Sequence, residues 1–211
     1  MKKAILFVFS ILLGTTAITA QNIADVFKKV PESVVYGISD EDKAFLVANT
    51  SDSLATIVPS SIYVGVERLA ASDDYLSFKT SAAGTTQIKL LPLVNGSKVV
   101  CVVKTVCGKI CDSDIRFYTT EWSPIDAGAL FPAFNPDWFL KADVDKDSQT
   151  YKNAVSVIDM NPCKIILSSS GDEAGVEYQI KNYLSKEDYE ILAPYLLDEV
   201  KILKWDKMSF K

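Results

Sequence analysis

The chain of 211 residues contains no histidine, and that absence removes more chemistry than any other feature of its composition. Ser-His-Asp and Cys-His catalysis, His-ligated zinc and imidazole acid-base steps all need a side chain that is missing. Any chemistry left to the protein must use carboxylates, tyrosines, lysines or thiols. Arginine is scarce as well, with only Arg68 and Arg116, and 27 acidic residues against 22 basic ones leave a net charge of −5. Nucleic acid, whose phosphates are met by clusters of arginine and lysine, is therefore not an expected partner. No Gly-rich phosphate loop, nucleophile elbow or metal-type cysteine spacing occurs, so no cofactor and no metal is expected.

Long apolar runs are also lacking, apart from one at the start. Lys2 and Lys3 precede an apolar segment, 4–14, and small or hydroxylated residues follow to Ala20. Residues 1–20 thus read as a secretory signal peptide, too short in its apolar core for the ~20 residues of a bilayer span. No cysteine stands at the cleavage point for a lipid anchor. The expected mature chain is 21–211, periplasmic or secreted, with no membrane span after cleavage; loss of Lys2 and Lys3 takes the charge to −7. Its length suits a single α+β domain, or two sub-lobes at 21–134 and 135–211.

The stretch 90–124 organises the rest. Asn95-Gly96 separates an apolar run from the valine-rich run 99–106, the arrangement of a tight β-hairpin in which both turn residues tolerate positive φ. In the second run Val99, Cys101 and Val103 alternate with Val100 and Val102, so both faces are apolar and the strand should be central and doubly covered. A turn at 107–111 leads to a third strand, 114–120. Upstream, Asn22 caps a short helix, 23–30, Ser39 caps a second to about residue 48, and strands are expected at 54–58, 62–69, 75–79 and 86–91. Downstream, 125–134 is a connection rich in Gly, Ala and Pro, and Asn135-Pro136 opens a short helix to Lys141. An acidic loop, 143–149, precedes an apolar stretch, 154–158. A strand pair is expected at 164–168 and 176–181, a Ser185-capped helix runs to about Leu192, and a last strand spans 200–205. The fold class is α+β: an antiparallel β-sheet with flanking short helices and a C-terminal strand-helix-strand segment.

Four constellations deserve weighing as sites. Cys107 and Cys111 are read as a disulfide across one turn, since exported chains oxidise their cysteines; Cys101 and Cys163 either form a second bridge or stay as buried small hydrophobes. Asp143, Asp145 and Asp147 have the opening spacing of a calcium loop, but Ser148 and Ala154 stand where its glycine and glutamate belong. Seven aromatics lie between Phe117 and Phe139, and of these Trp122, Phe131, Phe134 and Trp138 form a candidate binding surface for an envelope protein or a glycan. Carboxylates such as Asp112, Asp114, Asp172 and Glu173 offer a glycosidase pair.

The string KTVCGKICDS at 104–113, the Trp122-Ser-Pro124 turn, the Asp137-Trp138-Phe139 helix start, the Asp159-Met-Asn-Pro162 step and the Ser185 cap resemble a family of exported Bacteroidales proteins classified only as a domain of unknown function. The resemblance spans nearly all of 21–211. It implies a Gram-negative envelope location and no activity. A non-enzymatic binding or assembly protein of the periplasm is the reading these features favour, with a carboxylate-dependent hydrolase acting on polysaccharide as the alternative.

Overall fold

The computed structural model describes residues 21–48, 56–58 and 65–211. Seven strands run in an antiparallel meander whose spatial order is the chain order: β1 (Thr56–Val58), β2 (Val66–Ala71), β3 (Tyr75–Lys79), β4 (Gly84–Pro92), β5 (Lys98–Cys107), β6 (Cys111–Thr119) and β7 (Pro124–Ile125). The expected strand 62–69 is β2, which runs on to Ala71 because a bulge between Arg68 and Ala70 absorbs one residue. The expected turn at 59–61 lies outside the described residues, as do the polar break at 49–53 and the first residues of two expected strands.

The alternation in β5 has the predicted consequence. Val100 and Val102 enter one hydrophobic cluster, and Val99, Cys101 and Val103 enter another on the opposite face. The first cluster is closed by α1 (Ile23–Phe27), α2 (Asp40–Leu46) and the segment between them, through Ile23, Phe27, Val34 and Leu46. Asn22 caps α1, and Ser39 with Asp42 forms a reciprocal capping box on α2. The buried Arg68 guanidinium donates to the Leu46 and Ala48 carbonyls, which satisfies the end of α2 from the sheet.

Two turns share one geometry with different residues. Leu93 N donates to Ser97 O and Gly96 N to Leu93 O; Thr119 N donates to Ser123 O and Trp122 N to Thr119 O. The left-handed position falls to Gly96 (φ 82°) in the first turn and to Trp122 (φ 65°) in the second. In the first, only glycine takes positive φ, so the hairpin is a three-residue type with a bulge and not the two-residue turn that Asn95-Gly96 suggested. In the second, a tryptophan accepts a backbone cost of roughly 1–2 kcal/mol. Burial offsets it: the indole is 7% exposed, packs on Tyr118 and donates to the Val26 carbonyl at 3.0 Å.

A second, three-stranded sheet covers the other face, in the order β10 (Lys201–Lys204), β9 (Glu173–Tyr178), β8 (Cys163–Leu167). β9 begins three residues before the expected start, and residues beyond it coil into α4 (Ile180–Tyr183) where strand was expected to 181. Of the apolar stretch 154–158, Ala154 and Val155 end α3 (Gln149–Val155) and the rest follows it; the N-cap is Ser148, a residue read only as a failed calcium position. The helix expected from Pro136 to Lys141 is a 3-10 turn, Pro136–Phe139, capped by Asn135. α5 (Lys186–Leu192) carries the expected Ser185 cap and runs through Pro194 as a 3-10 turn. One hydrophobic cluster contains Leu91, Val99, Val103 and Phe117 of the large sheet together with Ile165, Val176, Leu203 and Phe210 of the second half.

β8 is an edge strand of its sheet, and it lies across β6, β5 and β4 of the other. An edge needs its outward backbone groups satisfied, and here polar side chains of the large sheet do it. Asp112 accepts from Cys163 N (3.2 Å), and the Ser113 hydroxyl accepts from Ile165 N (3.0 Å). The Gln87 amide accepts from Leu167 N (2.9 Å) and donates to Ile165 O (3.0 Å), taking the place of a neighbouring strand.

Candidate functional site

The two sheets splay apart beside the outer edge of β6, where β7 covers only Phe117 and Tyr118. The opening is a cleft of about 360 Å³. Its floor is Ser113 and Ile115 from β6 against Ile165 and Val176 from the small sheet, with Cys163 at one end. Its outer wall is the connection after β7, which brings Ala127, Phe131, Ala133, Phe134 and Trp138 over the gap. That wall is held by local caps, with Asp126 on Gly128 N and Asn135 on Asp137 N, and by Phe210 N donating to Leu130 O.

Three of the four aromatics proposed from sequence meet here: Phe131, Phe134 and Trp138 are half-buried and line one cleft. Trp122 does not. It is buried in the helix-covered cluster on the opposite face of the large sheet, because its turn points the indole toward α1. The three rings of the cleft are braced by other groups. Phe134 stacks on Phe139 (5.8 Å) and touches Tyr178 (5.2 Å), Phe131 meets Phe210 edge-on, and the Lys201 ammonium sits 5.9 Å from the centre of the Trp138 ring. The Ser113 hydroxyl is already engaged with Thr105 (2.8 Å) as well as Ile165 N. Among the side chains of the cleft, apolar groups predominate and the hydroxyl is already bonded.

The thiols are quiet. Cys107 and Cys111 are disulfide-bonded across the β5–β6 turn, while Cys101 and Cys163 are free and do not bridge the two halves. Burial pushes the Cys101 thiol far up, and burial together with the Asp112 charge pushes Cys163 up to about 11. Tyr178, beside the cleft, is raised to about 12 by burial and by Cys163. Neither thiol has the depressed pKa of a nucleophile.

Asp112, Asp114, Asp172 and Glu173 do not converge. None of them lines this cleft, nor a second cavity of about 320 Å³ between Tyr178, Tyr189 and Leu197. Asp112 is tied to Cys163 N and Asp114 to Arg116 at 2.6 Å, while Glu173 faces Lys204. The second cavity does hold Glu177, Asp198 and Glu199, with Lys164 3.6 Å from Glu177. In the loop 143–147, the Asp145 carboxylate accepts from Asp147 N, and among the described residues no group of three or more acidic or cysteine side chains is placed to hold a metal ion. No described helix is long and apolar enough to cross a membrane. Gln87 and Ser113, which join the sheets, are not marked as such in the sequence; for Gln87 the available signal is a polar residue inside the expected strand 86–91.

An α+β protein built from two crossed antiparallel sheets, with an apolar cleft at their open side, is what fold and site define together. Residues 15–210 match the family described as protein of unknown function (DUF3256), and the chain belongs to that family. A solved domain of an uncharacterized protein from Porphyromonas gingivalis W83 is similar in fold, with a TM-score of 0.80 at 24% identity, over 91% of this chain and 98% of that one. No curated protein matches.

Proposed function

We propose that this is an exported, non-catalytic binding protein of the Gram-negative envelope that receives an apolar side chain of a protein partner in the cleft between its sheets. The composition of that cleft carries the reading: Ile115, Phe131, Phe134, Trp138 and Ile165 surround it, and its one hydroxyl is already bonded to Thr105 and Ile165 N. The side chains of the cleft offer a sugar's hydroxyls few partners, whereas a leucine or phenylalanine side chain buries no polar group on entry. Export is supported by the pattern of residues 1–20 and by the disulfide in the β5–β6 turn.

Panning a random heptapeptide library on chain 21–211 tests the binding role. Recovered peptides should share a large apolar residue and lose at least tenfold in affinity to the Ala133→Arg variant, which sets a charged side chain at an exposed position of the wall. Peptides indifferent to that change, or binders displaced by soluble glycans, would overturn the reading. Export is checked by N-terminal sequencing of the periplasmic fraction, expected to start at Gln21; an intact N terminus in the membrane fraction would contradict it.

A further inference from the structure

We infer that the partner enters as an extended strand added to the outer edge of β6 at Ser113–Ile115, apolar on the side facing the cleft and polar on the other; this rests on the cleft being a protein-binding site. Backbone groups alternate in direction along a strand. Thr119 N donates to Ser123 O in the turn that leads to β7, so the outward groups of β6 are those of residues 119, 117, 115, 113 and 111. β7 ends at Ile125, opposite Phe117, and at the other end Asp112 is fastened to Cys163 N. In the window between, the N–H and C=O groups of Ser113 and Ile115 have no hydrogen-bond partner among the described residues.

The side chains of these two residues face the cleft. A residue directly opposite Ile115 on an added strand projects its own side chain from the same face, over the cleft mouth. Main-chain pairing and side-chain insertion therefore serve a single peptide, the mode in which an exposed edge gives affinity and a pocket gives specificity. The opposite side of the window carries charge. Asp114 is exposed there, bonded to Arg116 and facing Lys104 across the ladder with β5, so that side is polar and close to balanced in charge. Alternate residues of the added strand that are polar match that solvated side.

The probe is a capped seven-residue peptide that alternates lysine with valine and carries leucine at its centre, titrated into chain 21–211 while amide exchange is followed by NMR. Strand addition slows exchange at the Ser113 and Ile115 amides at least tenfold, and leaves Asp112 and Asp114, already in the β5 ladder, unchanged. N-methylation of the peptide weakens binding at least tenfold at alternate residues and less than twofold at those between. Binding that Ala133→Arg abolishes, but with unchanged Ser113 and Ile115 exchange and no alternation, overturns strand addition and leaves the cleft reading standing. Failure of this peptide while panned peptides occupy the cleft has the same meaning. Failure of both removes the cleft reading with it.

Discussion

Replacing Gln87 by leucine removes the stitch between the sheets while keeping the volume of the side chain. The native amide is 6% exposed and makes three contacts: with Leu167 N, with Ile165 O and, at 3.3 Å, with the Tyr75 hydroxyl. Leucine strands one buried N–H and one buried C=O, each worth about 1–3 kcal/mol when left unpaired, and takes the long third bond from the Tyr75 hydroxyl. Some of this is recovered by the apolar substitute, so a net loss of about 3 kcal/mol is expected. For a chain of this length that lowers the melting temperature by roughly 6–12 °C. Urea unfolding followed by tryptophan fluorescence should show a lower midpoint with an unchanged slope, because the surface exposed on unfolding is the same. Gln87→Ala adds a cavity and should cost more. A loss below about 1 kcal/mol for Gln87→Leu would refute the idea that the edge of β8 depends on this amide.

The disulfide closes so short a loop that Cys107→Ser with Cys111→Ser should cost only about 2 kcal/mol, measured by the same titration. Trp122→Ala should cost about 3 kcal/mol through lost burial and leave peptide affinity unchanged, since the indole lies on the face away from the cleft. Trp122→Gly should cost about 1 kcal/mol less than Trp122→Ala, the reverse of the usual order, because glycine relieves the positive φ. The Cys163 pKa is raised on folding from its ordinary 9.0 to about 11, so the stability it contributes is intact below pH 9 and lost as pH rises through 11. The difference in unfolding free energy between the native protein and Cys163→Ala should therefore change over pH 9–11 and be flat below it.

Local chemistry was the legible part of the fold. Caps at Asn22, Ser39, Asn135 and Ser185 sit where their side chains announced them, because a cap needs only residues three apart. Two-faced burial of β5 was legible because both alternating sets are apolar. What escaped depends on distant partners. The start of α3 was passed over because its apolar residues are few and its cap, Ser148, lay inside an acidic loop. β9 was placed late because Gly175 looked like loop, yet it opposes Ile202 and Ile166 across the sheet. The aromatic site was legible in Phe131, Phe134 and Trp138, which share one connection. Trp122 was misplaced because the hand of a single turn decides which face of the sheet a side chain reaches, and a left-handed tryptophan is not an expectation that composition supports.

Cys163 supplies a native reporter for the cleft. It lines the cavity, Cys101 is fully buried, and the other two cysteines are bonded to each other. The rate of Cys163 alkylation by iodoacetamide at pH 9, with and without saturating heptapeptide, reads occupancy directly. Entry of the peptide side chain between the sheets predicts at least a tenfold slowing; an unchanged rate at saturation would place the peptide elsewhere and contradict the cleft as the binding site.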